Sequence, residues 1–318
     1  METLKINFER FCEYIAENIT KYLPAEYKDV EVKIVRTEKP NVCETQLSIF
    51  APGGSYGINY TLNNMYGAYT EGTDLNILVS EIAYKISRFL TEGLAVPDQH
   101  ENIFNRERIL STVRVKLVNL LKNTSFLADK PYYEPVKGLA GVFTIPVDDI
   151  KEGGVVTLTK RHLEGLGITA EELVQAATDN MANMPYSLVD MRDMMIADAI
   201  NNGADPSSDE FKEWVNDLSS AVPMYVLSNL KRVNGASVML STGVMNELAE
   251  KFGEFILMPA DIDELIMIPL SAVLDDADYL TEIVKDVNSN VVSPSDYLSD
   301  DIYKYANGTL SIWSEAVA

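Results

Sequence analysis

Apolar side chains at Leu4, Phe8, Phe11, Ile15, Ile19 and Tyr22 recur every three or four residues. That spacing stripes one face of a helix, and Pro24 ends it. The period then changes. Val30, Val32 and Ile34 alternate with Glu31 and Lys33, and Leu47 and Ile49 continue an alternating pattern after Lys39-Pro40-Asn41. Alternation marks half-buried strands, so this pair is expected as an antiparallel hairpin. Beyond Pro52-Gly53-Gly54, Ile58 to Leu62 predicts a third strand. Asp74 then precedes Leu75, Leu78, Val79, Ile82, Ile86 and Phe89, the pattern of a capped amphipathic helix. These elements make an N-terminal α+β unit over residues 1–95, and residues 91–103, with Pro97 and polar neighbours, read as a linker.

A second, acidic α+β domain is expected over residues 104–318. Arg106 to Lys122 carries Leu110, Val113, Leu117, Leu120 and Leu121 at helical spacing, with its five basic residues scattered around the helix. Ala140 to Val147 and Val155 to Thr159 read as strands. Thr169-Ala170-Glu171-Glu172 is a capping box before Leu173, Ala176, Ala177 and Met181. Met191 to Leu218 reads as helix broken near Asp205-Pro206. Met224 to Leu227, Val238 to Leu240, Phe255 to Met258 and Leu265 to Pro269 read as strands, with a Ser241-capped helix ending at Gly253. A last helix carries Tyr279, Leu280, Ile283, Val284 and Val287 behind Asp275 and Asp276. Hairpins interleaved with capped helices indicate an α+β fold with antiparallel-rich sheets, because parallel units need a helix after every strand.

Composition changes this picture in one respect. With 47% hydrophobic and 23% charged residues the chain is ordinary globular material, but its 318 residues carry a net charge of −22. Residues 1–150 contribute −4 of it and residues 151–318 contribute −18. So acidic a half repels phosphates and anionic lipid, which argues against nucleic acid and membrane as partners and for another protein. Met1 to Phe11 lacks the apolar core of a signal peptide, and Leu265 to Leu274 is about half the length needed to span a bilayer. Cys12 and Cys43 cannot make a disulfide framework, and each stands where an apolar residue would fit. A cytoplasmic location follows from these readings.

Candidate chemistry is sparse. Gly53-Gly54-Ser55-Tyr56-Gly57 matches a nucleophile elbow, but the alternating residues after it predict a strand where the elbow needs a helix. Asp261, Asp263 and Glu264, and Asp275, Asp276 and Asp278, could offer oxygens to a divalent cation, yet no EF-hand loop is present and Asp275 and Asp276 read as helix caps instead. His100 and His162 are too few and too scattered for a metal centre. Tyr60, Tyr66 and Tyr69 in a strand-to-helix corner read as core with wet hydroxyls. Phosphate-loop, dinucleotide and zinc motifs are missing from the sequence. The residues therefore name no catalytic group, no cofactor and no metal ligand.

Several stretches together resemble a family of uncharacterised proteins of gut Firmicutes and their mobile elements, known as a domain of unknown function. They are Tyr60-Thr61-Leu62 with Tyr66, Tyr69 and Gly72; Lys116-Leu117-Val118-Asn119 with Lys122-Asn123; Asn234-Gly235-Ala236; Ile256-Leu257-Met258-Pro259 with Glu264; and Tyr297-Leu298-Ser299-Asp300 with Tyr303 and Tyr305. His162 to Asn180 is also similar to YtpQ-type proteins. The family usually shows two serines and a histidine after the proline matching Pro259, where this chain has Ala260, Asp261 and Asp263. The resemblance thus favours a structural role for that corner and implies no reaction. The expectation is a non-enzymatic interaction or accessory factor, linked to a mobile element or phage. Alternatives are a carboxylate- or metal-dependent hydrolase whose site is dispersed in sequence, and an acidic DNA mimic.

Overall fold

The computed structural model describes residues 5–50, 57–91, 104–147, 154–219, 221–273 and 277–313. The chain is α+β, and by its internal contacts it divides into two compact units, Met1–Glu101 and Asn102–Ala318. The inferred linker lies mostly outside the described residues.

The first unit runs α1 (Phe8–Asn18), β1 (Glu31–Lys39), β2 (Val42–Phe50), β3 (Gly57–Thr61), α2 (Asn63–Glu71) and α3 (Leu75–Thr91). Asn7 starts α1 by accepting the Arg10 N–H at 2.9 Å. The β1–β2 hairpin turns through Pro40-Asn41, with Asn41 at φ 63, and pairs without a slip from Lys39↔Val42 to Glu31↔Phe50. Phe11, Ile15 and Ile19 of the N-terminal segment close a core with Leu47 and Ile49 of the sheet and Leu78, Ile82 and Ile86 of α3. Between the third strand and α3 the sequence pattern had not marked α2. Its polar and tyrosine-rich face gives no clear period, and it is held by tertiary contacts: the Tyr66 hydroxyl donates to the Ile6 carbonyl at 3.2 Å and the Tyr69 hydroxyl accepts the Ile6 N–H at 3.0 Å.

The second unit runs α4 (Arg106–Thr112), β4 (Arg114–Asn119), α5 (Thr124–Leu127), β5 (Tyr132–Val136), β6 (Leu139–Val147), β7 (Gly154–Thr157), α6 (Lys160–Leu163), α7 (Ala170–Met181), β8 (Tyr186–Asp190), α8 (Met191–Asn201), α9 (Asp209–Ser219), β9 (Tyr225–Asn229), α10 (Thr242–Phe252), β10 (Phe255–Pro259), β11 (Leu265–Pro269), α11 (Ala277–Asn290), β12 (Tyr303–Ala306) and β13 (Thr309–Ile312). One antiparallel sheet is built on β6, which pairs with β4, β5 and β7. The other has six strands in the order β13-β12-β10-β11-β9-β8, every pair antiparallel. Phe255 and Leu257 face the main core with Leu117, Phe143, Leu173 and Leu248, while Ile256 and Ile268 face a smaller one with Val284 and Ile302.

Two expectations are corrected here. The single helix Arg106 to Lys122 is helix only to Thr112; Arg114–Asn119 is strand, with Val115 and Leu117 buried and Arg114 exposed. β-branched Val113, Val115 and Val118 suit the extended chain, and the helical spacing of the leucines was fortuitous. Val238 to Leu240 is not a strand but the end of a 3-10 turn over Gly235–Leu240. Gly235 to Met239 are all buried, and a run apolar on every side carries no period to separate helix from strand.

The capping box does form: Thr169 Oγ1 accepts the Glu172 N–H at 3.2 Å, and Glu172 Oε2 accepts the Thr169 N–H at 3.1 Å. Thr169→Ala should therefore lower stability by about 1 kcal/mol, read as a lower urea midpoint at unchanged slope.

Candidate functional site

Beginning from residues, the segment of interest is the five-residue connection between β10 and β11. Pro259 ends β10, and Ala260 and Asp261 donate their N–H groups to the Glu264 carbonyl at 3.1 and 3.3 Å. Asp261 Oδ1 accepts the N–H groups of Asp263 and Glu264 at 2.7 and 2.8 Å, so one carboxylate oxygen organises the whole turn.

Neighbouring segments lock onto this turn through its backbone. Ile262 donates its N–H to the Asp296 carbonyl at 2.9 Å and accepts the Ala236 N–H at 3.2 Å. The Ser228 hydroxyl donates to the Asp263 carbonyl at 2.6 Å, and Asp263 Oδ1 accepts the Asn234 N–H. Asn234 is left-handed at φ 50, which aims that N–H at the carboxylate. Gly235 follows because nothing larger fits: a Cβ there would stand 2.0 Å from Ser228 Oγ and 2.3 Å from the Asp263 carbonyl oxygen.

The segment from Ser293 to Tyr303 forms the adjoining wall. Asn288 Nδ2 donates to the Ser299 carbonyl and to Asp300 Oδ1 at 3.0 and 2.8 Å, and Asn119 Nδ2 donates to the Leu298 carbonyl at 3.1 Å. The buried Tyr303 hydroxyl donates to Ser299 Oγ at 3.1 Å. Lys122 Nζ lies 3.3 Å from the centre of the Tyr297 ring. Burial, and secondarily Asp300, pushes the Tyr297 phenol up to about 12. Four stretches distant in sequence thus meet around one corner: β4 with Lys122, the Asn234-Gly235 turn, the end of β10, and Tyr297 to Tyr303.

Beside this corner, between α11 and the strands β10 and β11, is a cavity of about 530 Å³. Its walls are mostly aliphatic, from Met258, Ile266, Ile283, Val284, Val287 and Val291, and Asp261, Asn288, Ser293 and Asp296 supply its polar rim. Burial raises the Asp263 carboxyl above its ordinary range, with Asp261 and Asp296 adding to the rise and the Asn234 N–H and Lys116 opposing it. Asp263 is therefore a group that the fold holds against its preference for charge.

The other residues singled out in the sequence lie elsewhere or serve locally. Ser55, Asp275, Asp276 and His100 fall outside the described residues. Asp278 is exposed on the first turn of α11. His162 is the third residue of α6: its Nδ1 accepts the Thr159 N–H at 3.2 Å, and its ring stacks on Phe104 at 4.1 Å. Burial of Cys12 pushes its thiol up to about 11. Cys43 is exposed rather than apolar-packed: it lies beside the turn of the β1–β2 hairpin, opposite Glu38. Among the described residues there is no group of three or more His, Cys, Asp or Glu side chains placed to hold a metal. Asp296 and the rim it forms were not foreseen, since only the contact between Ile262 and Asp296 brings residues so far apart in sequence together.

The chain belongs to a family of unknown function (DUF5688), whose model matches residues 8–307. No curated protein and no solved structure matches it.

Two outcomes test the corner. Gly235→Ala should cost about 2–4 kcal/mol, since backbone on one side and Ser228 on the other leave nowhere for the methyl to go, read by chemical denaturation. Asp263→Asn keeps an oxygen for the Asn234 N–H and removes the disfavoured charge. A carboxyl whose folded pKa is raised stabilises the fold only while protonated, below its unfolded pKa, and that stability is lost as pH rises through the folded pKa. The variant should thus melt higher than the parent at pH 7, with the gap closing as pH falls through the raised folded pKa and gone by about pH 4, where the unfolded carboxyl titrates.

Proposed function

We propose that this chain is a non-enzymatic, cytoplasmic interaction protein whose groove beneath α11 takes an amphipathic, basic segment of another protein. The observation that carries this reading is the exposed apolar stripe of α11, whose Ile283 and Val287, with Val291 just beyond the helix, also line the cavity. Tyr279, Ile283, Val287 and Val291 form a stripe at four-residue spacing, exposed by 54, 43, 41 and 77%, which extends about 18 Å at 1.5 Å per residue. Asp278, Glu282 and Asp286 form a parallel stripe one residue away. An apolar seam edged by carboxylates is complementary to a helix or strand that carries apolar anchors flanked by Lys or Arg.

Several facts support it. The cavity walls are aliphatic and the rim is anionic. The acidic excess lies in residues 151–318, which include this surface. Two free cysteines, one buried and one exposed, suit a reducing compartment, and among the described residues no helix is long and apolar enough to cross a membrane.

A carboxylate-dependent hydrolase is less well supported by the same geometry. An acid or base must have oxygens free to face a substrate, whereas Asp261 Oδ1 holds two N–H groups of its own turn, Asp263 Oδ1 holds Asn234, and Glu264 lies 3.4 Å from Arg232.

The test is capture from native-host lysate with the parent chain and with the double variant I283D/V287D. Both positions are exposed, so the variant should fold and melt like the parent. The parent should retain a basic protein that is released as salt rises from about 0.1 to 0.5 M, and the variant should retain at least about tenfold less. Equal retention by both forms would falsify the groove as the binding surface.

A further inference from the structure

β8 and β9 are antiparallel neighbours, yet a pair of helices stands between them where a short turn would do. The Met191 N–H donates to the Met224 carbonyl at 2.9 Å, which pins the two ends of the excursion together. Asp190 fixes the first helix by accepting the Arg192 N–H at 2.9 Å and pairing with its guanidinium at 2.5 Å. At the tip, Gly203 at φ 95 stops α8, Asp205 Oδ1 accepts the Ser207 N–H at 2.9 Å, and Ser208 Oγ accepts the Phe211 N–H to start α9. The result is a well-capped two-helix arm.

Its interior is what sets it apart. From Met191 to Ser219 no residue is buried. α8 nonetheless bears Met194, Met195, Ile196 and Ile200 around more than one side, a composition usual for a helix covered all round. α9 bears Phe211, Trp214, Val215 and Leu218 on one face, all half-buried, and Met195 and Ile200 are each 42% exposed. Helices of eleven residues are marginal by themselves in water. Packed on each other, and α8 also on β8, they still leave apolar surface in want of a cover.

Charge says what kind of cover. Asp193, Asp198, Asp209, Glu210, Glu213 and Asp217 stand on the arm against Arg192, already paired with Asp190, and Lys212. A second copy would bring like charges together, whereas a basic amphipathic helix meets both the apolar surface and the carboxylates. Methionine, unbranched and polarisable, adapts such a surface to a partner helix. We infer that the arm Met191–Ser219 is a docking element for a basic amphipathic helix of another protein. This goes beyond the groove under α11 and does not depend on it.

The full chain is titrated with a peptide of roughly 18 residues, Leu and Lys patterned for one apolar helical face, and with a scrambled peptide of the same composition, while amide hydrogen exchange is followed. The patterned peptide should bind at least about tenfold tighter than the scrambled one and slow exchange over 191–219. Met195→Glu with Ile200→Glu should abolish that protection at an unchanged melting temperature, and D209N/E213Q/D217N should weaken it by about tenfold. Equal binding of the scrambled peptide overturns the inference, as does protection confined to 277–292, which would support the groove alone. Protection of the arm that appears without peptide as protein concentration rises also overturns it, in favour of self-association.

Discussion

Phe255 to Pro259 and Leu265 to Pro269 are apolar at every position, so the two strands at the centre of the six-stranded sheet need cover on both faces. One face receives it from the main core, where Phe255, Leu257, Leu265 and Met267 are wholly buried against α7, α10 and the sheet built on β6. The opposite face carries a smaller cluster: α11 gives buried Val284 with Leu280 beside it, and Ile302, Val222, Met224, Leu270, Val273 and Trp313 complete the cover. Each fully covered aliphatic side chain is worth about 1.5–3 kcal/mol, so the asymmetry leaves one face firmly bound and the other with a groove. Everything proposed about α11 follows from that imbalance.

The corner at 260–264 serves the same arrangement. Backbone hydrogen bonds from Ile262 to Asp296 and Ala236, and from Ser228 to Asp263, tie the end of the sheet to segments distant in sequence. Carboxylates there act mostly on N–H groups of the turn, and in that role they need neither a metal nor a substrate. Asp261 in particular caps the turn that holds the groove rim in place.

Acidity takes on a location as well. On α11 and on α8–α9 the carboxylates lie beside apolar side chains that the chain itself leaves uncovered. Carboxylates scattered over an otherwise polar surface would serve solubility; beside such seams, on the proposed reading, they would also select the sign of a partner.

Local pattern alone was enough to read the β1–β2 hairpin, the capping box at Thr169, the break near Asp205-Pro206 and the Ser241 cap, because turn residues, side-chain caps and period-2 alternation act over a few residues. It misread Arg114–Asn119 as helix and Val238–Leu240 as strand, where apolar residues suit either period and burial on all sides erases the contrast. Composition likewise located the excess charge in residues 151–318 without showing which acids were bound to their own turn and which faced outward. Those distinctions belong to tertiary structure: Asp263 is disfavoured as a charge because burial, and secondarily Asp261 and Asp296, act on it, and the apolar stripe of α11 is a groove wall only because a cavity is left between that helix and β10 and β11. Sequence determined the elements and their caps; the packing of distant segments decided which surfaces were left open, since burial depends on neighbours that no local pattern specifies.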